Sequence, residues 1–349
     1  MGVSFAKDFL VNMDRTVLIE GFLGKSGWAG ADRSVLAGDA SFRRYDRIID
    51  GDRRAVLMDA PPPQENVRPF ITIARHLSAL GYSIPEIIAA DEQAGLLLLE
   101  DLGDNTYTRE LNEGGDEQAM YQLAVDVLID LHRRDPQQVI PSGLPTYGNE
   151  KLLDEAFLAP QWTYAAFEGD VPGENVRRAY GDAWLTLFPL IHSGPKTLVL
   201  RDYHVDNLLL LENREGIRAC GLLDFQDAVA GHPAYDLMSL LEDARRDIDG
   251  DLKNKMIERY FSAFPDLDQD AFSTAFAILA AQRHAKVIGI FTRLCRRDGR
   301  PDYLVHIPRV WRLLEAALEH PELADMKNWF DKHMPASMRT IPPFPEAPQ

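Results

Sequence analysis

Cysteine and positive charge are both scarce in this sequence of 349 residues. The two cysteines, Cys220 and Cys295, cannot form a disulfide framework, so we expect small core thiols in a reducing compartment. The 37 Lys and Arg residues are outnumbered by 54 Asp and Glu residues, which gives a net charge of −17. Such an acidic chain lacks the basic surface that general binding to nucleic acid or to an anionic membrane requires.

Long hydrophobic runs are missing as well. The longest ones, around Leu96–Leu99 and Leu208–Leu211, have the length of a β-strand and are too short to cross a bilayer. The N-terminal segment has no hydrophobic core followed by a small-residue cleavage site, so we expect no signal peptide. We therefore expect a cytoplasmic protein that has no membrane partner and no nucleic-acid partner.

Residues 1–101 are predicted to form a leading helix over Met1–Leu23, a small antiparallel sheet and a helix over Asn66–Leu80 that ends at Gly81. The predicted strands are Ser34–Ala37, Phe42–Ile48, Arg54–Asp59, Glu86–Asp91 and Leu96–Glu100. Asp50 and Gly51 indicate a tight hairpin between the second and third strands, because both residue types tolerate positive φ. This part of the chain is an α+β unit.

Residues 102–330 are predicted to be mainly helical. The predicted helices are Glu117–Arg133, Asn149–Phe167, Gly173–Ile191, 235–247, 251–263, 270–297 and 308–319. Three short strands interrupt them, at Thr197–Leu200, Leu208–Leu211 and Cys220–Leu223. A proline-rich tail follows over residues 331–349 and is expected to wrap the surface or fray.

The segment around the three short strands carries the chemistry. Asp202 precedes Asn207 by five residues in a loop between apolar runs, and Asp224 follows the next predicted hairpin. Phosphoryl transfer needs one carboxylate at the attacking hydroxyl, and it needs a carboxylate and an amide oxygen for Mg²⁺. The loop can direct one side chain to the acceptor and another to the metal, while the hairpin can bring Asp224 beside Asn207. We expect Asp236, in the turn that follows, to brace this loop.

Five segments give the sequence a resemblance to a known family. They are Gly38–Tyr45, Leu97–Asp104, Arg201–Asn207, Leu223–Asp227 and Gln282–Phe291. The sequence resembles the aminoglycoside-phosphotransferase/choline-kinase family, which has the bilobal protein-kinase-like fold, over nearly the whole chain. Within that family it is most similar to the anomeric N-acetylmuramate/N-acetylglucosamine kinases of bacterial cell-wall recycling. We therefore expect an α+β bilobal fold with a small antiparallel-sheet N-lobe, a mainly helical C-lobe and a boundary after residue 101.

The resemblance also implies roles for individual residues. Asp202 would be the catalytic base, Asn207 and Asp224 the metal ligands, and the backbone from Glu100 to Leu102 the adenine hinge. ATP and Mg²⁺ would be the cofactors, and a small amino sugar would be the partner. Phosphorylation would take place at the anomeric C1 hydroxyl, and we expect the protein to act as a monomer.

The sequence departs from the family pattern at two places. Leu200 stands two residues before Asp202, where the family usually has His. Met58 stands where a lysine should grip the α- and β-phosphates, and the helix Asn66–Leu80 has no central glutamate, although Glu65 lies at its start. We expect the missing cation to be Arg43 or Arg44, which lie just after the predicted phosphate loop formed by Gly38 to Ser41.

The predicted helix 270–297 is basic in an acidic chain. At 100° per residue, Arg283 and Lys286 fall on one face, which we expect to be open to a negatively charged group. The carboxylate arm of N-acetylmuramate would suit that face, whereas a polycationic aminoglycoside would not. Ion pairs with acidic residues elsewhere in the chain are an equal alternative. His204 and Asp227 are further candidates for acceptor contacts, each with a structural alternative.

Two other functions stay open at this point. The same kinase fold could act on an antibiotic, a choline-like molecule or another hydroxyl compound. Alternatively, the absence of a lysine at Met58 could indicate a nucleotide-sensing pseudokinase. The joint presence of Asp202, Asn207 and Asp224 favours an enzyme, because a binding module needs no catalytic base.

Overall fold

The computed structural model describes residues 15–38 and 42–344, and the chain divides into two compact units. Unit 1 consists of Met1–Glu110 together with Asn207–Asp227, and unit 2 consists of Leu111–Asp206 together with Ala228–Gln349. Residues 207–227 fall in the helical part of the sequence-based division, but they pack with the sheet of unit 1. The reason is backbone pairing, since Leu222 N–H donates to Ser83 O over 2.8 Å and Leu210 N–H donates to Asn105 O over 2.8 Å.

Unit 1 contains a five-stranded antiparallel sheet of order β1-β2-β3-β5-β4. The strands are β1 (Asp32–Gly38), β2 (Arg44–Asp50), β3 (Arg53–Asp59), β4 (Ile87–Asp91) and β5 (Leu96–Glu100). Helix α1 covers residues 15–25, while residues 1–14 of the predicted leading helix lie outside the described residues, and α2 covers Arg68–Ala79. The predicted antiparallel sheet is confirmed, with the β2–β3 turn one residue later than predicted because Asp50 pairs with Arg53.

The middle strands of the unit 1 sheet, β3 and β5, are buried on both faces, whereas the edge strands β1 and β4 are partly exposed. Along β3, Ala55 and Leu57 pack into one apolar cluster with Phe22 of α1 and Leu98 of β5. Val56 lies between them in sequence and therefore points to the opposite face of the sheet, where it lines a cavity. Helix α2 ends as predicted, since Gly81 has a φ of 92° and donates its N–H to Ser78 O over 2.9 Å. Burial on both faces accounts for the continuous apolar runs Ala55–Met58 of β3 and Leu96–Leu99 of β5.

Unit 2 is built from helices around one long central helix. The helices are α3 (Tyr107–Asn112, shared with the end of unit 1), α4 (Glu117–Arg133), α5 (Pro136–Val139), α6 (Asn149–Ala156), a π-helix (Ala159–Tyr164), α7 (Ala165–Glu168), α8 (Glu174–His192), α9 (Ala234–Leu241), α10 (Gly250–Ala263), α11 (Gln269–Asp298), α12 (Ile307–Leu318) and α13 (Ala324–His333). The short strands pair as two antiparallel ribbons. One, in unit 2, joins β6 (Thr197–Val199) to β9 (Val229–Gly231), and the other, in unit 1, joins β7 (Leu208–Leu210) to β8 (Cys220–Leu222).

Side-chain caps explain where α4 and α11 begin. Asp116 accepts from Ala119 N–H at the start of α4, and Asp268 accepts from Ala271 N–H at the start of α11, each over 3.0 Å. The helices of the described chain include none with the length and apolarity needed to cross a membrane. Both cysteines are buried thiols, as expected.

The helix predicted over Asn149–Phe167 is broken in the structure, because the chain passes close to α11. Pro160 lies inside the π-helix, and a proline supplies no backbone N–H. A Cβ atom built on Gly289 of α11 would lie 2.2 Å from the carbonyl carbon of Leu158, so only glycine permits this approach. Thr163 Oγ1 lies 3.0 Å from Thr292 Oγ1 and completes the contact. Periodicity alone cannot show such a break, because it depends on a partner helix.

Candidate active site

The loop that carries Asp202 is held by a buried carboxylate of unit 2. Asp236, in the first turn of α9, accepts from Leu200 N–H over 2.6 Å and from Arg201 N–H over 2.9 Å. Arg201 has a φ of 71°, a region that non-glycine residues seldom occupy and that costs conformational energy. The predicted bracing role of Asp236 is confirmed. Its two hydrogen bonds stabilise the turn directly before Asp202.

Four basic side chains set the electrostatics of Asp202. Burial raises the pKa of this carboxyl, but Lys286, His204, Arg201 and Arg283 lower it more, so the net pKa lies below the usual 3.8. Asp202 is therefore ionised at neutral pH, as a proton acceptor must be. His204 is buried, and burial lowers its pKa.

Glu155 on α6 is a site residue that the sequence analysis missed. Its carboxylate bonds to the guanidinium of Arg201, lies 3.3 Å from Lys286 Nζ and accepts from the hydroxyl of Tyr147. Gln282 Nε2 lies 3.5 Å away. Burial raises the pKa of Glu155, but Lys286 and Arg201 lower it more. No signal in the sequence distinguishes this glutamate from a surface residue of an amphipathic helix, because its partners come from distant elements.

The basic face of α11 is not open, which corrects the expectation. Arg283 is 4% exposed and Lys286 is 9% exposed. The reason is that α11 contacts α6, α8, α9, α12 and the π-helix, so helices surround most of it. Lys286 pairs with Glu155, whereas Arg283 Nη1 is buried without a hydrogen-bond partner among residues 15–38 and 42–344.

The predicted hairpin brings Asn207 and Asp224 together in unit 1. Leu223 N–H donates to Asn207 O over 2.9 Å, and Asn207 Nδ2 lies 3.5 Å from Asp224 Oδ2. Asp224 itself has a φ of 56°, and its Oδ1 accepts from Gln226 Nε2 over 2.5 Å. Gln226 is a second residue that the sequence analysis did not single out, although it lies two positions from Asp224.

The side chains of Asn207 and Asp224 suit one class of metal ion. They offer amide and carboxylate oxygens, which Mg²⁺ prefers, and Mg²⁺ commonly takes its other ligands from water and phosphate. Across the described ranges there is no group of three or more His, Cys, Asp or Glu residues that could hold a metal by themselves. The donor set therefore fits Mg²⁺ bound together with a nucleotide better than a cage built from protein ligands alone.

A cavity of about 330 Å³ in unit 1 opens beside this pair. Its lining is mostly apolar, and Asn207 and Asp224 are among its polar lining residues, together with Glu100 and Asp101. Its apolar lining consists of Leu36, Val56, Phe70, Pro85, Leu99, Leu102, Leu209 and Leu223. Glu100 and Leu102, the predicted adenine hinge, also line it, and Glu100 N–H donates to Glu86 O over 2.8 Å. A largely apolar cavity with a few polar lining groups has the character of a small-molecule site.

The predicted phosphate-binding residues differ in their surroundings. Gly38 ends β1 opposite Arg44, and Ser41 lies outside the described residues. Arg44 is 53% exposed in its side chain and donates to Asp46 over 3.0 Å. Arg43 is 14% exposed and turns toward the cavity side, where its Nη1 lies 4.0 Å from Asp224 Oδ1. Asp227, a predicted acceptor contact, lies in an exposed turn.

Known proteins resemble this chain over most of its length. The model of a phosphotransferase enzyme family matches residues 32–275. The N-acetylmuramate/N-acetylglucosamine kinase of Caulobacter vibrioides is 34% identical over 362 aligned positions, which cover 94% of this chain and 99% of that protein. The protein of the same name from Pseudomonas aeruginosa is 38% identical, over 86% of this chain and 89% of its own.

Solved structures share the fold at low sequence identity. A choline/ethanolamine kinase family protein from Mesorhizobium loti has a TM-score of 0.61 at 15% identity and covers 90% of this chain and 98% of its own. The ADP-bound aminoglycoside phosphotransferase APH(2'')-Ib has a TM-score of 0.56 at 18% identity, covering 82% and 93%. The expected protein-kinase-like α+β fold is confirmed. With a family model over more than half of its length and relatives above 30% identity, the chain belongs to the phosphotransferase enzyme family.

Proposed function

We propose that this protein is an ATP-dependent kinase that phosphorylates the C1 hydroxyl of N-acetylmuramate and N-acetylglucosamine in bacterial cell-wall recycling. The observation that carries the proposal is the similarity to four curated kinases of that name, which are 34–38% identical over 84–94% of this chain. We further propose that it acts in the cytoplasm and as a monomer. In this proposal the side chains of Asp202, Asn207 and Asp224 supply the chemistry of the reaction.

Asp202 is the proposed proton acceptor. Its carboxylate is ionised at neutral pH, because the nearby cations outweigh the effect of burial on its pKa. An anomeric hydroxyl is more acidic than an ordinary alcohol, so a carboxylate is an adequate base for it. Asp236 holds the preceding turn, so that Asp202 is positioned before the substrate arrives. Most of the rate acceleration would then come from orientation and preorganised charge.

Asn207 and Asp224 are the proposed Mg²⁺ ligands, and Gln226 orients one oxygen of Asp224. A bound Mg²⁺ would neutralise negative charge on the β- and γ-phosphates of the nucleotide. The apolar walls of the unit 1 cavity, together with the chain at Glu100 and Leu102, would hold the adenine ring.

Arg283 is the proposed contact for the carboxylate arm of N-acetylmuramate. Its Nη1 is a buried donor with no hydrogen-bond partner in the described chain, and a buried donor of this kind is costly unless a ligand satisfies it. Lys286 is a weaker candidate, because Glu155 already compensates its charge. His204 and Asp227 stay predicted acceptor contacts. The basic environment of Asp202 also disfavours a polycationic aminoglycoside as acceptor.

The test is ADP release by the full chain with ATP and Mg²⁺ against a panel of amino sugars, choline, ethanolamine and aminoglycosides. We expect turnover with the two N-acetyl sugars, and phosphorus NMR should place the product phosphate at C1. Turnover with choline or an aminoglycoside alone would replace the acceptor in the proposal. ATP binding without turnover on any acceptor would indicate the pseudokinase instead.

A further inference from the structure

Unit 1 lacks a lysine–glutamate pair at the position where protein kinases hold one. In kinases a lysine of the third strand contacts the nucleotide phosphates, and a glutamate of the following helix positions it. Here the residue on β3 is Met58, which pairs with Tyr45 on β2 and is 1% exposed. Helix α2 (Arg68–Ala79) contains no acidic residue at all. A buried thioether cannot bind phosphate, so a cation must come from another position if this unit binds a nucleotide.

An arginine–glutamate pair lies nearby on other elements. Arg43 directly precedes β2, and its Nε donates to Glu65 Oε2 over 3.1 Å. The second oxygen of Glu65 accepts from Phe42 N–H, also over 3.1 Å. Glu65 therefore binds both the side chain of Arg43 and the backbone next to it. Its own N–H donates to Pro61 O over 3.1 Å, which ties the glutamate to the turn before α2.

The guanidinium of Arg43 extends from Glu65 toward the proposed metal ligand. Its Nη1 lies 4.0 Å from Asp224 Oδ1, and the side chains of Arg43 and Glu65 are 14% and 12% exposed. Burial lowers the pKa of Arg43, but Tyr45 and Glu65 raise it more, so the charge is retained. A partly buried, oriented guanidinium is suited to phosphate, which it can contact through two parallel hydrogen bonds.

We propose that Arg43 and Glu65 replace the lysine–glutamate pair: Arg43 binds the α- and β-phosphates of the nucleotide, and Glu65 is its positioning residue. The proposal rests on the proposed function in one respect, namely that unit 1 binds a nucleotide. It distinguishes Arg43 from its neighbour Arg44, whose side chain is half exposed and bonded to Asp46. In protein kinases the pair lies on the third strand and the following helix. Here Arg43 lies directly before β2, and Glu65 lies in the turn before α2.

The first test measures dissociation constants of ATP, ADP and adenosine by calorimetry with the full chain and Mg²⁺. Arg43→Ala should raise the dissociation constants of ATP and ADP by about 10–100-fold. The dissociation constant of adenosine should change by less than about twofold, because adenosine has no phosphate. Arg43→Lys keeps the positive charge but loses the two parallel hydrogen bonds of the guanidinium. Its affinity for ATP and ADP should therefore lie between those of the wild type and Arg43→Ala. Arg33→Ala is the matched control, since Arg33 pairs with Asp46 on the same sheet and should leave all three ligands unchanged.

The second test examines the positioning role of Glu65. Glu65→Ala should raise the dissociation constant of ADP by about 3–30-fold. In the double variant with Arg43→Ala, it should raise that constant little further, because the two residues act as a unit. Glu65→Asp should restore part of the ADP affinity. A merely structural role for Glu65 would weaken adenosine as strongly as ADP, and additive effects would contradict the pairing.

The outcomes separate the two proposals. If the wild type binds neither ATP nor ADP, the proposed function is wrong. If the wild type binds ADP and Arg43→Ala binds it equally well, or if Arg44→Ala alone weakens it, the function stands and the inference is overturned. If Arg43→Ala fails to fold, the dissociation constants of ADP and adenosine are compared for Arg43→Lys and Glu65→Ala instead. A loss of affinity for ADP alone supports the inference, and equal affinity for ADP in the variants and the wild type overturns it.

Discussion

Asp236 and Arg201 are joined by a hydrogen bond of 2.9 Å from the backbone N–H of Arg201 to Asp236 Oδ1, at a residue whose φ is 71°. The other oxygen of Asp236 accepts from Leu200 N–H over 2.6 Å. One fully buried carboxylate thus holds two consecutive amides in a strained turn. The position of Asp202, the next residue, depends on this contact.

Replacing Asp236 should therefore loosen the loop. In Asp236→Asn one acceptor oxygen becomes an NH₂ group that faces a backbone N–H, and a buried donor left unsatisfied costs about 1–3 kcal/mol. The free energy of unfolding, measured with urea at about pH 9, where the carboxyl with its pKa of about 7 is ionised, should fall by that amount. Substitution of Asp126, whose carboxylate makes an exposed ion pair with Arg259, by Asn should change it by less than about 0.5 kcal/mol. An unchanged stability in Asp236→Asn would contradict the bracing role.

The same residue should give stability a distinct pH dependence. Burial, with a contribution from Asp202, raises the pKa of Asp236 to about 7. A carboxyl with a raised pKa keeps its proton in the folded state between about pH 4 and 7, where the unfolded chain releases it, so its contribution to stability falls as pH rises through that window. Urea titrations of the wild type and of Asp236→Asn should show this loss in the wild type only. Parallel curves from pH 4 to 7 would refute it.

Asp202→Asn should reduce turnover without weakening nucleotide binding. The amide cannot accept the proton of the sugar hydroxyl, so we expect kcat to fall by about 10²–10⁴-fold. The dissociation constant of ATP should stay within about threefold of the wild-type value, because the proposed nucleotide contacts lie in unit 1. Steady-state kinetics and calorimetry measure the two quantities. Full turnover in the variant would remove Asp202 from the mechanism.

Arg283→Ala should lower the activity on N-acetylmuramate more than the activity on N-acetylglucosamine. Its buried Nη1 would lose its contact with the lactyl carboxylate of N-acetylmuramate, so kcat/KM for that sugar should fall by about 10–100-fold. N-acetylglucosamine has no such carboxylate and should lose less than about threefold. Lys286→Ala serves as a comparison, since its partner is Glu155. Equal losses on both sugars would show that Arg283 does not read the carboxylate.

Gly289→Ala should disrupt the packing of α11 on the π-helix. The added Cβ would lie 2.2 Å from Leu158 C, and neither backbone can move away easily inside the packed unit. We expect a loss of at least about 2–3 kcal/mol in the free energy of unfolding. Gly250→Ala is the matched control, because a Cβ on Gly250 meets nothing within 4 Å. A neutral Gly289→Ala would mean that the two helices do not pack as closely as described.

Local patterns were sufficient for much of the fold. The bounds of β5 and α4 agree with those predicted, because a short continuous apolar run and helical periodicity depend on neighbouring residues. Helix α13 and strand β9 were not predicted, since the short β9 forms by pairing with β6 rather than by its own composition. The long helix expected from residue 149 is interrupted for the same kind of reason, namely contact with Gly289.

The sequence by itself determined the candidates for the chemistry: Asp202, Asn207 and Asp224 were predicted because a motif is a matter of spacing along the chain. Only the tertiary structure decided their neighbours. Glu65 meets Arg43 across 22 positions, and Glu155 meets Arg201 across 46. Electrostatic interactions act through space and not along the sequence, so the charges around a carboxylate are defined only after distant elements have packed together.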